Sequence, residues 1–259
     1  MHELTAPAFA LLAAAGLAAG FVNTVAGAGS LLSLRALMVL GVLPADANGT
    51  NRVPVVAQSL TAALAFRRHT RVSGALLAPS VVPSVVGALL GAGASTLLPD
   101  RVMNVLLIGV LFAVALLGLR KAKTRVGVEL DEAAEAARLA TWPSRTWLFA
   151  SGFYGGFLQA GVGLLLLHAL SNVAGLSMLR SNALKVTVVL VFSLAALVVF
   201  VATGHVRWLL AAPLSLGSIL GALLAVRFAV KLGEKLKIAV VVVDFLVCAV
   251  LVGRALAVP

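Results

Sequence analysis

Charge is what this sequence has least of. Only 11% of its 259 residues are Asp, Glu, Lys or Arg, less than half the share of a typical soluble domain, about 25%. That shortage excludes an ordinary soluble fold. The single cysteine, Cys248, cannot form an internal disulfide. Four histidines (His2, His69, His168 and His205) show no metal-ligand spacing, and neither H-E-x-x-H nor G-x-S-x-G occurs. The metal cluster or nucleophile–base pair of an enzyme is therefore missing. Nothing matches G-x-x-x-x-G-K-[ST], which argues against ATP-driven transport within the chain. No enzyme activity, metal or cofactor is expected. The start, MHELT, has no Lys or Arg, whereas a secretory leader opens on basic residues. The first apolar run is expected to be retained, with its start outside the cell.

What the chain does have is apolar length. Hydrophobic residues make up 61%, and the mean hydropathy is +1.10. Runs such as LLIGVLFAVALLGL (106–119) and VTVVLVFSLAALVVFVA (186–202) recur along it. A helix needs about 20 mostly apolar residues to span a bilayer. The chain reads as an all-α polytopic membrane protein. Its net charge of +11 does not point to nucleic acid, because the basic residues lie in short clusters between apolar runs, where topology places them.

The sequence also repeats itself. An offset of 134 pairs Gly27 with Gly161, Gly29 with Gly163, Gly41 with Gly175, Asn48 with Asn182, Ser59 with Ser193 and Pro79 with Pro213. It lays GALL (87–90) on GALL (221–224). Leu, Val and Ala matches are cheap in so apolar a chain, but Gly, Pro and Asn matches at one offset are not. Each copy reads as five apolar segments. They run over 6–25, 30–43, 51–66, 72–97 and 102–119 in the first copy, and 146–158, 164–175, 184–203, 207–229 and 238–257 in the second. The expected organisation is repeat 1 over 1–120, a cytoplasmic linker over 121–145 and repeat 2 over 146–259, in one integrated membrane domain. Within the linker, ELDEAAEAARL suits a short surface helix.

Matched loops differ in charge. RRHTR (67–71) corresponds to VATGH (201–205), while LLPDRVM (97–103) corresponds to KLGEKLK (231–237). The same loop is basic in one copy and not in the other, so the positive-inside rule predicts inverted copies. Loops 67–71, 120–145, 176–185 and 230–237, assigned to the cytoplasm, hold 14 of the 20 Lys and Arg. Arg52, Arg101, Arg207 and Arg254 fall outside, and Arg35 and Arg227 lie within apolar segments. Inverted repeats are a mark of secondary transporters, with the substrate site at the repeat interface. The second segment of the first copy, at about 14 residues, reaches roughly 21 Å against a core of roughly 30 Å. The first two segments of each copy are therefore expected either to cross or to form a broken, re-entrant hairpin with its Gly-x-Gly tip inside the membrane.

Four motifs carry a resemblance. AGAGSLLSLRAL and ADANGTNRV in the first copy, with GFYGGFLQAGVGLLLLHAL and SNALKV in the second, resemble the TauE/SafE family of sulfite-exporter-like membrane proteins over nearly the whole chain. The resemblance implies a multi-pass transporter of the bacterial inner membrane that exports sulfite or small organosulfur anions. Arg35 stands where many members have proline.

The candidate substrate-binding residues follow from both copies. Gly27 and Gly29, with Gly161 and Gly163, would turn the backbone into a helix N-terminus whose free N–H groups attract an anion; the bland reading is close helix packing. Ser30 and Gln159 add donors beside them. Arg35 and His168 lie within two turns of the tips, where an intramembrane charge needs a cavity or a partner. Asn48, Thr50 and Asn51, and Asn182 and Lys185, either cap the third helix of each copy or line the pathway. Asp244, with no counterpart in the first copy, either relays protons or pairs with Arg227 or Lys237. Together these predict a secondary transporter, an exporter of a small anion working by alternating access between the repeats; a passive anion channel is the alternative. Expected partners are that anion, the lipid bilayer, protons as coupling ion and further copies of the chain, with no nucleic acid among them.

Overall fold

A computed structural model describes residues 5–70, 72–99, 102, 106 and 131–232. The fifth segment of each copy, residues 102 and 106 aside, lies outside the described residues, and so does Asp244. The described residues are helices and turns with no strand among them. The first copy contributes α1 (Ala6–Val25), α2 (Ser30–Val39), α3 (Pro44–Phe66) and α4 (Gly74–Thr96). The linker holds α5 (Glu132–Leu139), capped by the Asp131 side chain, as ELDEAAEAARL predicted. The second copy contributes α6 (Trp142–Phe157), α7 (Val162–Leu167, continued by a π-helical turn His168–Val173), α8 (Met178–Ala202) and α9 (Trp208–Leu232).

Helices α1, α4, α8 and α9 are long and apolar enough to cross a membrane. Their outward faces present Leu17, Val82, Val86, Leu90, Val198, Leu216, Leu220 and Leu224. Exposed apolar surface of this extent suits lipid rather than water. The protein is a multi-pass helical membrane protein.

Several helices start earlier than the sequence suggested, among them α6, at Trp142 rather than 146. α3 begins at Pro44 rather than 51, and α8 at Met178 rather than 184. Proline suits a first turn because its missing N–H would be unpaired there anyway, and the Ser177 side chain caps α8. The polar stretches ANGTNR and SNALK therefore lie inside helices. Arg52, counted above as an outside charge, and Lys185, counted in a cytoplasmic loop, are 0% and 1% exposed in the third turns of α3 and α8. The charge count missed this because it weighs a cation by its neighbours in sequence and not by its partners in space.

The two copies interlock. Gly16 and Gly20 of α1 lie against Leu214 and Ser218 of α9, and Gly152 and Gly156 of α6 against Ser84 and Ala88 of α4. In each pair the numbers rise together, so α1 runs parallel to α9 and α6 parallel to α4. The same hydrogen bond clasps both pairs: Ser218 Oγ donates to the Gly16 carbonyl and Ser84 Oγ to the Leu148 carbonyl, each at 3.2 Å. The start of α3 meets that of α9, where Asp46 pairs with Arg207 (2.6 Å) and His205 (2.9 Å). At the other end Phe66 of α3 clusters with Met178 and Ala229. Arg180, the repeat match of Asp46, pairs instead with Glu135 of α5 (2.5 Å).

Two helices stop short. From Gly20 and its neighbour Ser218, α1 has 5 residues left and α9 has 14. From Gly152 and its neighbour Ser84, α6 has 5 left and α4 has 12. At 1.5 Å per residue, α1 and α6 end roughly 10–14 Å before their partners do. α2 then turns back along α1: Gly29 abuts the Ala19 carbonyl, and Leu34 and Leu37 share a core with Leu12.

Candidate functional site

The site is built where the two broken helices end. Gly27 (φ +96°) and its repeat match Gly161 (φ +72°) turn the chain at the tips in the left-handed region that favours glycine. The tips touch. A Cβ on Gly27 would lie 2.3 Å from the Gly163 Cα, and the Gly163 N–H donates to the Gly27 carbonyl at 3.2 Å. Packing and turn geometry thus each account for these glycines, and the Gly163 N–H expected to face an anion is taken by the opposite tip.

A helix leaves its last four carbonyls without internal partners. In α1 these are Val22 to Val25, and all four are met. Val22 accepts from the N–H groups of Ala26 and Gly27. Asn23 and Thr24 accept from the Lys185 ammonium at 3.2 and 2.9 Å, and Val25 accepts from Asn182 Nδ2 at 3.3 Å. In α6 the accounting repeats with the copies exchanged. Tyr154 accepts from the Leu158 N–H, Gly155 and Gly156 from the Arg52 guanidinium, and Phe157 from Asn48 Nδ2 at 2.7 Å. Each copy's third helix therefore supplies one cation and one asparagine to the end of the other copy's first helix. The placement is favourable because the C-terminal end of a helix carries partial negative charge.

These matches run at an offset of 132 up to the tip, not 134. Two extra residues therefore sit in the second tip, where Leu158, Gln159 and Ala160 stand against Ala26 alone. Gln159, held at φ +60°, is one of them. Its Oε1 accepts from Arg52 at 2.5 Å and its Nε2 donates to Ser193 Oγ at 3.4 Å. Arg52 also donates to Asn48 Oδ1 at 3.2 Å and lies 4.9 Å from the Phe200 ring centre. The groups around Arg52 are all neutral, and a planar five-donor fork suits so many acceptors.

Lys185 is placed differently. Besides its two carbonyls it borders a cavity of about 10 Å³ between the tips, whose polar wall is Asn23, Thr24, Gln58 and Ser59. That volume is close to what one water needs.

The other expected residues are less central. Ser30 Oγ accepts from Asn23 Nδ2 at 3.4 Å. Asn51 accepts from Ser33 Oγ at 2.5 Å, and its buried Nδ2 has no partner among the described residues. Thr50 accepts from the Arg207 N–H at 2.9 Å, near the end of the bundle. Arg35 is half-buried on α2. His168 is exposed, its ring centre 4.9 Å from that of Trp147 and its Nδ1 3.0 Å from Asn172 Nδ2. The structure thus unites Gly27, Gly163, Asn48, Gln159, Asn182 and Lys185, and leaves Arg35 and His168 at the periphery. Sequence reasoning did not single out Thr24, Gln58 or Ser193, and read Arg52 as an interface charge. The Ser59–Ser193 match was the available signal.

Chemically, the arrangement offers two buried cations and neutral donors. Among the described residues no group of His, Cys, Asp and Glu could hold a metal.

Known proteins agree in kind. A "Probable membrane transporter protein ORF9" from Sinorhizobium is 29% identical over 237 residues, covering 91% of this chain and 88% of that protein. The "Probable membrane transporter protein YfcA" of Escherichia coli is 27% identical over 221 residues, covering 84% and 79%. A "Probable membrane transporter protein" of Haemophilus influenzae is 27% identical over 246 residues, covering 94% of each. No solved structure matches significantly. The model of the sulfite exporter TauE/SafE family matches residues 12–251, and the chain belongs to that membrane transporter family.

Proposed function

We propose that the protein is a secondary transporter of a small anion, such as sulfite or an organosulfur anion, and works by alternating access between two inverted repeats. One observation carries this reading. Each repeat buries a cation that holds the broken helix of the other, so any movement of one repeat against the other remakes the charged interface between them. Helix directions support the inversion: α1, α3 and α9 run one way, and α4, α6 and α8 the other. Corresponding segments of the two copies thus point in opposite senses. Helices that break beside a polar cavity, short of the neighbours they run along, fit the transporter pattern of discontinuous helices, in which irregular backbone lines a cavity.

In this reading the linker is cytoplasmic, both termini are outside and the bilayer is the bacterial inner membrane. Export and proton coupling complete the proposal. Asn48, Asn51, Gln159, Asn182 and Lys185 belong to the central site with the glycine tips. Arg35, His168, Ser30 and Thr50 stand along the approaches.

Counterflow tests the reading. Purified protein is reconstituted into liposomes loaded with unlabelled sulfite, and labelled sulfite is added outside. A carrier exchanges the two and lifts internal label transiently above its equilibrium level. A channel lets label rise only to equilibrium, and that result would sink alternating access. The same vesicles loaded with sulfoacetate, thiosulfate or sulfate rank the substrates.

A further inference from the structure

Three polar side chains at the repeat interface face a cavity. The Thr24 hydroxyl, the Gln58 carboxamide and the Ser59 hydroxyl are on residues 2%, 3% and 4% exposed. All three border the cavity that Lys185 shares. Among the described residues none of the three groups has a hydrogen-bond partner. These groups open onto the cavity rather than being sealed in, so a water or a ligand held there can bond them.

The repeat offers an internal comparison. Across the copies Ser59 matches Ser193, Gln58 matches Phe192 and Thr24 matches Gly156. On that second side the space is filled. The Phe192 ring lies so near Gly155 that a Cβ there would come within 2.8 Å of it. The Arg52 guanidinium occupies the middle, and Ser193 Oγ is bonded by Gln159 at 3.4 Å. One side of the interface is filled, with only the Arg52 Nε of its guanidinium left unbonded among the described residues, and the other is open. The two-residue difference in tip length supplies part of the reason, since Gln159 sits in the extra length and the shorter first tip has no equivalent.

We infer that the chain carries one oxyanion site, displaced to one side of the repeat interface, in which Lys185 supplies the charge and Thr24, Gln58 and Ser59 supply neutral donors. Arg52 with Phe192 seals the repeat-related position. The inference rests on the anion reading above and makes it specific. The cavity is too small for an oxyanion with the tips closed, so the anion enters as the tips part. Lysine suits this duty because its compact charge sits on a flexible stem that can reorient toward an anion, whereas the fork of Arg52 is fixed by four acceptors. Bonds to a charged ligand are the strong ones, so each lost donor shows clearly in affinity.

Calorimetry on the full-length protein in detergent tests this, with sulfite, sulfoacetate and sulfate as probes. The expected result is one anion per chain for the best probe. Ser59→Ala and Gln58→Leu should each weaken it about ten-fold, while Ser193→Ala stays within about two-fold. Ser59→Cys, close to serine in volume, replaces Ser59→Ala if that variant does not elute and melt like the parent. Two anions per chain, or Ser193→Ala as damaging as Ser59→Ala, overturns the one-sided site while leaving the anion reading intact. A parent that binds none of the three probes overturns the anion reading and this site with it.

Discussion

Asn48 and Asn182 make the same bond to exchanged partners: Asn48 Nδ2 holds the last carbonyl of α6, and Asn182 Nδ2 the last carbonyl of α1. Both lie in the second turn of their own helices, so neither is an N-cap. Asn48 does more, since it also donates to Ser95 Oγ at 3.2 Å and accepts from Arg52. Among the described residues Asn182 Oδ1 has no partner. Asn182→Ala should therefore cost about 0.6–1.7 kcal/mol, the range for one interhelical hydrogen bond in a membrane protein. Asn48→Ala should cost more. Thermal unfolding in detergent at fixed lipid content measures both, and equal losses would contradict the asymmetry.

Three glycines separate two kinds of strain. Gly41 has φ +80° with open space around it, so Gly41→Ala meets only the conformational penalty, about 1–2 kcal/mol. Gly163 is free of that penalty but would drive a Cβ to 2.3 Å from the Gly27 Cα. Gly27 meets both. Stability should fall in the order parent, Gly41→Ala, Gly27→Ala. Gly163→Ala should abolish counterflow even where the protein still inserts, because the tips can no longer touch. A Gly163→Ala protein with parental counterflow would show that tip contact is dispensable.

Topology is tested by cysteine accessibility in a Cys248→Ser background. Ala133→Cys, in α5, should resist an impermeant thiol reagent added to intact cells and react once the cells are opened. Thr5→Cys should react from outside. Labelling of Ala133→Cys in intact cells would reverse the assignment of the linker.

Proton coupling is tested at Asp244. Asp244→Asn should abolish sulfite movement driven by a pH gradient while leaving sulfite–sulfite exchange nearly unchanged. The two assays on one liposome preparation separate coupling from folding. Gradient-driven movement at the parental rate would make the carboxylate structural.

The matched glycines were legible because Gly27 and Gly161, and Gly41 and Gly175, have φ values that side chains resist, so substitution leaves a mark there. Asn48 and Asn182 were legible for a similar reason, as lone amides in apolar surroundings. The extra length of the second tip was not, because Leu158 and Ala160 align with almost anything in so apolar a chain. Arg52 was misplaced because a cation near a run's edge looks the same whether it faces headgroups or helix carbonyls. Gln58 and Ser59 read as ordinary polar breaks; their importance lies in what fails to bond them, and only three-dimensional packing reveals that.

The Ser218–Gly16 clasp joins positions 202 residues apart. While the ribosome works, α1 enters the bilayer with its glycine face bare, and the helix that covers it has yet to be made. At synthesis rates of about 5–20 residues per second, that wait is on the order of 10–40 s. During it, the face can stick to any other small-residue helix in the membrane. Neither half of the chain is thus a finished unit on its own, and a truncated first half would expose the very grooves meant for its twin. Biogenesis of this protein is a problem of holding one half unpaired until the other arrives.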